Sequence, residues 1–154
     1  ETILAVPEPM AAECLSPEEI RDYKEEGIVS LRPFSGCPFV RMDADTWMGE
    51  QFDRYCREDG FDPKIFVISQ SVLTVLECCA EGIGATLVPA GYLDHLTEEQ
   101  RRGMVFFRWR YPDVTLLGAV LHLKSSYITK AAMDFVKCSQ KICGEEESLW
   151  NGFF

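Results

Sequence analysis

The sequence predicts an α/β protein built around a mostly parallel sheet, and three observations predict it. Short apolar runs of strand length recur along the chain, at residues 3–7, 38–42, 64–69 and 85–88. Between them lie longer segments whose apolar residues return every three or four positions, the spacing of one helical face. No internal repeat or low-complexity tract competes with that alternation. Strands that alternate with helices form crossover units, and crossovers join parallel strands. At 154 residues the chain has the length of one domain with a core of its own.

The elements follow in order. Ile3-Leu4-Ala5-Val6-Pro7 is a strand closed by proline. A helix then starts with Ser16 as N-cap, Pro17 in the first helical position and Glu19 completing a capping box. Leu15 and Ile20 stand where a hydrophobic staple places them, and Gly27 supplies a left-handed stop. Residues 28–34 are apolar without a clear period, and Ser35-Gly36-Cys37-Pro38 is turn-prone. Residues 38–42 form a short buried strand. The next helix aligns Met48, Phe52, Tyr55 and Cys56 on one face and stops at Gly60.

Pro63 precedes an apolar strand over 64–69. A helix over 71–81 buries Val72, Val75, Leu76 and Cys79 and exposes Thr74, Glu77 and Glu81. Residues 84–89 are the next strand. Thr97 and Gln100 are the capping pair of a short helix. Residues 104–109 and 115–123 are two strands joined by the turn Tyr111-Pro112-Asp113. The last helix, about 128–143, carries Ile128, Ala132, Phe135 and Ile142 on one side. Three glutamates and an apolar tail follow it.

Composition narrows the function. A net charge of −10 repels phosphate backbones, so these residues are not expected to grip nucleic acid themselves. The apolar runs are too short to cross a bilayer. Seven cysteines, an odd number with no Cys-x-x-Cys pair, fit neither a zinc site nor a secreted disulfide framework, and are expected to be reduced, mostly buried cytosolic thiols. His95 and His122 have no Cys or His partner at ligand spacing, so no metal site and no cofactor are expected.

Gly82-Ile83-Gly84 invites comparison with a phosphate loop. A dinucleotide fingerprint places its glycines after a strand and before a helix; here the helix comes first. A helix C-terminus presents carbonyls, which repel phosphate. The glycines, with Pro89 beyond them, therefore have a structural role: Gly82 caps the helix and Gly84 lets the chain enter the sheet closely. No catalytic residue stands out. Ser69, Ser71 and Thr74 lack a nucleophile-elbow pattern, and Cys78-Cys79 falls within a helix. Asp43 and Asp45 are more economically explained as helix N-terminal residues than as a carboxylate pair. Arg101, Arg102, Arg108 and Arg110 form a local basic cluster expected to be edge-strand surface.

Two segments remain as candidates. In open α/β sheets, ligands gather beyond the carboxyl ends of the strands, where helix N-termini point. Met42, Asp43, Ala44, Asp45 and Thr46 follow one strand, and Ser69, Gln70 and Ser71 follow another. Both offer hydroxyls and backbone amides beside a helix start, a combination suited to a small anion.

The order of elements resembles one family: the effector-binding domain of LysR-type transcriptional regulators, which has the type 2 periplasmic-binding-protein fold. The resemblance rests on the entry strand "ETILAVPEPM", on "PFVRM" before a long helix, and on Gly60, Phe61, Pro63, Gly82, Gly84 and Pro89 at the family's spacing. The segment from Thr115 to Ile142 is similar to the family's closing strand and helix. Glu81 departs from the pattern, standing where a small residue commonly precedes the glycine, and the extension after Cys143 has no counterpart.

The resemblance implies a three-layer α/β/α subdomain, partial with respect to the whole regulator. It implies residues 1–123 as the effector-binding subdomain and 124–143 as a closing helix that packs on a first subdomain, with 144–154 as an acidic and aromatic tail. Family members bind DNA through an N-terminal winged helix-turn-helix, which this chain is expected to lack. The implied partner is a small, anionic organic effector at residues 42–46 and 69–71. Without the first subdomain, the face of Ala132 and Phe135 is left bare, so a dimer or larger homo-oligomer is expected. The implied location is cytoplasmic, with no membrane partner. Two other classes compete: a stand-alone solute-binding protein of the same fold, and an enzyme, for which the chain offers no general base or nucleophile.

Overall fold

The computed structural model describes residues 2–110 and 127–143. Contacts divide the chain into two units, residues 1–115 and 116–154. The first contains β1 (Thr2–Pro7), α1 (Glu8–Cys14), α2 (Pro17–Glu26), β2 (Pro38–Met42), α3 (Trp47–Asp59) and β3 (Lys64–Ser69). It continues with α4 (Val72–Ala80), β4 (Thr86–Pro89), α5 (Glu98–Arg102) and β5 (Met104–Arg108). Short 3-10 turns occupy Arg32–Phe34 and Ala90–His95.

The strands form two ladders. β1 lies between β4 and β5 and is antiparallel to both, with Leu4 opposite Leu87 on one side and Phe107 on the other. β2 and β3 are parallel, with Met42 in register with Ser69. Phe39 bridges Ala85 in parallel, through Val40 N donating to Ala85 O at 2.9 Å and Ala85 N to Pro38 O at 2.8 Å. The two ladders thereby join in the order β3-β2-β4-β1-β5. Since β4 and β5 both oppose β1, they run the same way as β2 and β3. Four of these strands share one direction, and β1 alone opposes it.

The layers follow from handedness. The step from β2 to β3 and the step from β3 to β4 move in opposite senses across the sheet. Parallel crossovers are right-handed, so α3 and α4 must lie on opposite faces. Side chains agree. Phe39 of β2 packs on Phe52 of α3 at 5.7 Å between ring centroids, and Tyr55 of α3 meets Trp109 at 5.1 Å. On α4 the buried residues are Val75, Leu76 and Cys79, and the Cys79 thiol donates to Ala5 O of β1 at 3.4 Å. Burying each large apolar side chain contributes about 1.5–3 kcal/mol, which makes this two-sided core the main stabilising term.

Local signals in the sequence account for most boundaries. Both capping boxes form, Ser16 with Glu19 and Thr97 with Gln100. Hydrogen bonds from the Ser16 amide and hydroxyl hold the Glu19 carboxyl below its ordinary pKa. Gly27 and Gly60 end α2 and α3 at positive φ. Met48, Phe52, Tyr55 and Cys56 are all buried. After α4, Gly82 has φ +77°; its amide donates to Cys79 O and that of Ile83 to Cys78 O, which closes the helix in a Schellman turn. A Cβ on Gly84 would stand 2.7 Å from Pro38 O, so only glycine lets the chain come this close to β2.

Two features differ from the sequence pattern. α1 stands where the pattern shows only a proline-closed strand; Pro9, at the second helical position, is compatible with a helix start. β3 is apolar but not buried: it lies at the edge of the described strands, with Phe66 55% and Ile68 53% exposed. An apolar run alone does not distinguish a central strand from an edge.

The second unit contains α6 (Lys130–Cys143), on which Ala132 and Phe135 are exposed. The expected strand at 115–123, the turn at 111–113 and the tail at 144–154 lie outside the described residues.

Candidate functional site

The register between β2 and β3 decides the geometry of the two candidate loops. Met42 pairs with Ser69, so residues 42–46 and 69–71 leave the sheet side by side. The Asp43 amide donates to Ser69 O at 2.9 Å and ties the loops together. Each loop then opens a helix at the carboxyl end of its strand, where α/β proteins hold ligands.

On the first loop, the Asp45 amide donates to Asp43 Oδ1 at 3.1 Å, and the Thr46 amide donates to Asp43 O at 2.9 Å. The Thr46 hydroxyl donates to Asp43 O at 2.6 Å and accepts from the Gly49 amide at 3.1 Å. Thr46 is thus the N-cap of α3, with its hydroxyl engaged on both sides. On the second loop, Ser69 Oγ accepts from the Ser71 amide at 3.1 Å, and Ser71 Oγ accepts from the Thr74 amide at 3.3 Å. Both serines serve the turn as acceptors and keep a hydroxyl proton for donation outward.

Exposure and charge separate the members. The Met42 side chain is buried, so only its backbone faces the loop. Ala44, Asp45, Gln70 and Ser71 are exposed, while Asp43, Thr46 and Ser69 are half-buried. The start of α3 carries Glu50 in its first turn, with Asp43 and Asp45 just before it. The first turn of α4 carries no acidic residue. The leading amides of each helix lack intrahelical acceptors, and each helix start bears a partial positive charge. At α3 the carboxylates offset that charge; at α4 no carboxylate of the first turn does.

Two supporting residues had no clear signal in the sequence. A Cβ on Gly49 would collide with Asp43 O, so the glycine makes room for the loop to fold over the first turn of α3. Its position inside a helical pattern was the available clue. Arg41 pairs with Asp53 at 3.1 Å and donates to Met42 O at 3.3 Å, which braces β2 against α3 just behind the loop. The pairing spans 12 residues and no local pattern encodes it.

The other motifs resolve as structure. Arg101 pairs with Asp94 and Arg102 with Glu98, and Arg110 donates to Glu26 O at 2.7 Å, so the basic cluster is dispersed among separate partners. Burial pushes the Cys79 thiol up, and Cys56 up to about 12, burial first and Asp53 next; neither is a ready nucleophile. No group of three or more His, Cys, Asp or Glu among the described residues is placed to hold a metal ion. No helix among them is long and apolar enough to cross a membrane.

An α/β unit with two helix starts at the carboxyl edge of adjacent parallel strands is a ligand-binding subdomain by architecture. Residues 14–143 match the family described as the LysR substrate binding domain, and the chain belongs to that family. It is a family of regulator effector-binding domains, not an enzyme family. Among curated proteins, the HTH-type transcriptional regulator CzcR of Bacillus cereus is 21% identical over 123 residues, covering 80% of this chain and 42% of that protein. The chain therefore spans less than half the length of this relative. Two solved structures show the same fold. The effector binding domain of QuiR in complex with shikimate has a TM-score of 0.58 at 15% identity, covering 92% of this chain and 60% of that one. The BenM effector binding domain with its effector benzoate has a TM-score of 0.51 at 20% identity, covering 73% and 46%.

Proposed function

We propose that this chain is one wall of the effector site of a LysR-type transcriptional regulator, and that the effector is a small organic anion. The observation that carries the proposal is the register of Met42 with Ser69, which sets two helix starts next to each other at the edge of the sheet. The anionic group sits at the α4 start, taking hydroxyl protons from Ser69 and Ser71 and the leading amides of the helix. The α3 start, with Asp43 and Asp45, faces the hydroxyl or amide groups of the same ligand. Shikimate and benzoate, the ligands of QuiR and BenM, are both carboxylates, which supports this choice of class.

DNA contact belongs to a separate winged helix-turn-helix domain of the whole regulator; the net charge of −10 on these residues supports that division. The protein senses rather than catalyses and works in the cytoplasm as a homo-oligomer. The similarity to CzcR favours a regulator over a stand-alone solute-binding protein.

The test is calorimetric titration of the full-length regulator with a panel of small carboxylates. Ser69→Asp places a negative charge at the α4 start and is expected to weaken the best ligand by about tenfold or more, roughly 1.4 kcal/mol. Asp45→Asn is expected to leave binding intact or strengthen it. Unchanged affinity in Ser69→Asp, or a ligand found in a crystal touching neither loop, would overturn the assignment.

A further inference from the structure

Two cysteines far apart in sequence meet in the fold. Cys14 ends α1, and Cys37 stands in the turn just before β2. Their sulfurs are 2.9 Å apart. Among the described residues no other pair of cysteine sulfurs lies within hydrogen-bonding distance, although six of the cysteines are described. We infer that Cys14 and Cys37 are a redox-responsive thiol pair, which closes to a disulfide in the presence of a small-molecule disulfide such as oxidised glutathione.

The surroundings divide the labour between the two sulfurs. Cys14 is half-buried, whereas Cys37 is 2% exposed and donates to Met10 O at 3.7 Å. Gly36 is exposed, and a Cβ added to it would be in van der Waals contact with Cys14 Sγ at 3.7 Å, so the missing side chain leaves that side of the sulfur open. Cys14 is the entry point. Burial, and then the hydrogen bond with Cys14, pushes the Cys37 thiol up to about 12 and keeps it protonated until its partner has reacted. Burial that penalises a thiolate does not penalise a neutral disulfide, so the oxidised form is compatible with this site.

The reaction balances through thiol–disulfide exchange. The Cys14 thiolate attacks one sulfur of glutathione disulfide; a mixed disulfide forms, the glutathione S–S bond breaks, and glutathione thiolate departs with the bonding electrons. Cys37, losing its proton, attacks Cys14 Sγ. The protein S–S bond forms, the mixed disulfide breaks, and a second glutathione thiolate leaves. The two protons from the cysteines end on the two glutathiones. The protein sulfurs are oxidised and the glutathione disulfide is reduced.

The product is a staple between the end of α1 and the start of β2, enclosing α2 in the loop. It lies at the opposite end of β2 from Met42, about 16 Å away at the rise of an extended strand, and so acts on the stability of the fold rather than on the ligand loops. The inference is independent of the effector assignment.

The test equilibrates the 154-residue chain in glutathione buffers of increasing oxidised fraction, quenches with acid, and alkylates under denaturing conditions before mass analysis. Cys14 and Cys37 are expected to lose alkylation together and to appear in one linked peptide, with intact mass lower by about 2 Da. The oxidised chain is expected to melt at a higher temperature than the reduced one. In Cys14→Ser, Cys37 is expected to stay alkylatable and the melting temperature to lose its redox dependence. Accumulation of glutathione on Cys14 with Cys37 still free would overturn the inference. So would separate alkylation of both cysteines throughout, or a redox-dependent melting temperature that survives in Cys14→Ser. Cys14 is half-buried and the exchange is conservative, so this variant carries the test even where Cys37→Ser does not fold.

Discussion

Gly82 and Gly84 are two positions apart and are glycine for different reasons. Gly82 needs a backbone angle: its φ is +77° and a Cβ there would meet nothing within 4 Å. Gly84 needs space, because its Cβ would press on the backbone of Pro38 and Phe39. Alanine at 82 is expected to cost about 1 kcal/mol, the ordinary penalty of the left-handed region. Alanine at 84 should cost more, about 1–3 kcal/mol, because rigid backbone must move apart. Urea unfolding of the two variants side by side checks the order, and asparagine at 82 should recover part of the loss while asparagine at 84 should not. The sequence made both glycines legible as structural, since they follow a helix. It did not reveal that Gly84 is held by Pro38, a contact 46 positions away.

At the scale of elements, the helix starts were the most legible features, because a cap is written within four residues. Ser16 and Thr97 cap as their sequences imply, and Thr46 and Ser71 open the two helices behind the candidate loops by the same chemistry. Thr46 shows how a local signal bears on function. Replacing it with alanine removes the cap and the hydroxyl that anchors Asp43 O, with an expected loss of about 1–2 kcal/mol in chemical denaturation. Threonine to serine should be nearly silent. Less legible was α1, a helix of seven residues with only Ala11 buried, too short and too exposed to show a period. The edge position of β3 was hidden for a different reason. Its composition is that of an interior strand, and only long-range pairing reveals that β2 alone flanks it among the described strands. The same pairing places the two candidate loops together, so their residues were legible and their adjacency was not.

For the whole molecule, charge and exposed apolar surface act in opposite directions. The net charge of −10 favours separation of copies, while Phe135 on α6 is 63% exposed and Phe66 and Ile68 lie open on β3. Contiguous exposed apolar groups favour association when repulsion is screened. Light scattering is expected to give a dimer or larger species whose mass rises with salt, and Phe135→Asp is expected to lower it. A monomer mass at high concentration in both salt conditions would exclude association. Family membership rests on 130 positions between residues 14 and 143, and the fold agrees with it on both sides of the sheet.

Among the described strands, the one that opposes the others has a consequence for how the chain folds. β1 is synthesised before the other four described strands, yet it ends between β4 and β5, and all six of its residues are buried. Its partners Thr86–Pro89 and Met104–Arg108 are made some eighty to a hundred residues later. Contacts so distant in sequence form slowly. Until they form, the emerging polypeptide carries an uncharged, largely apolar segment that β4 and β5 do not yet cover, and exposed apolar segments of this kind favour association between copies. The centre of the finished sheet is therefore covered late, and the time that strand waits for its partners is time in which copies can associate.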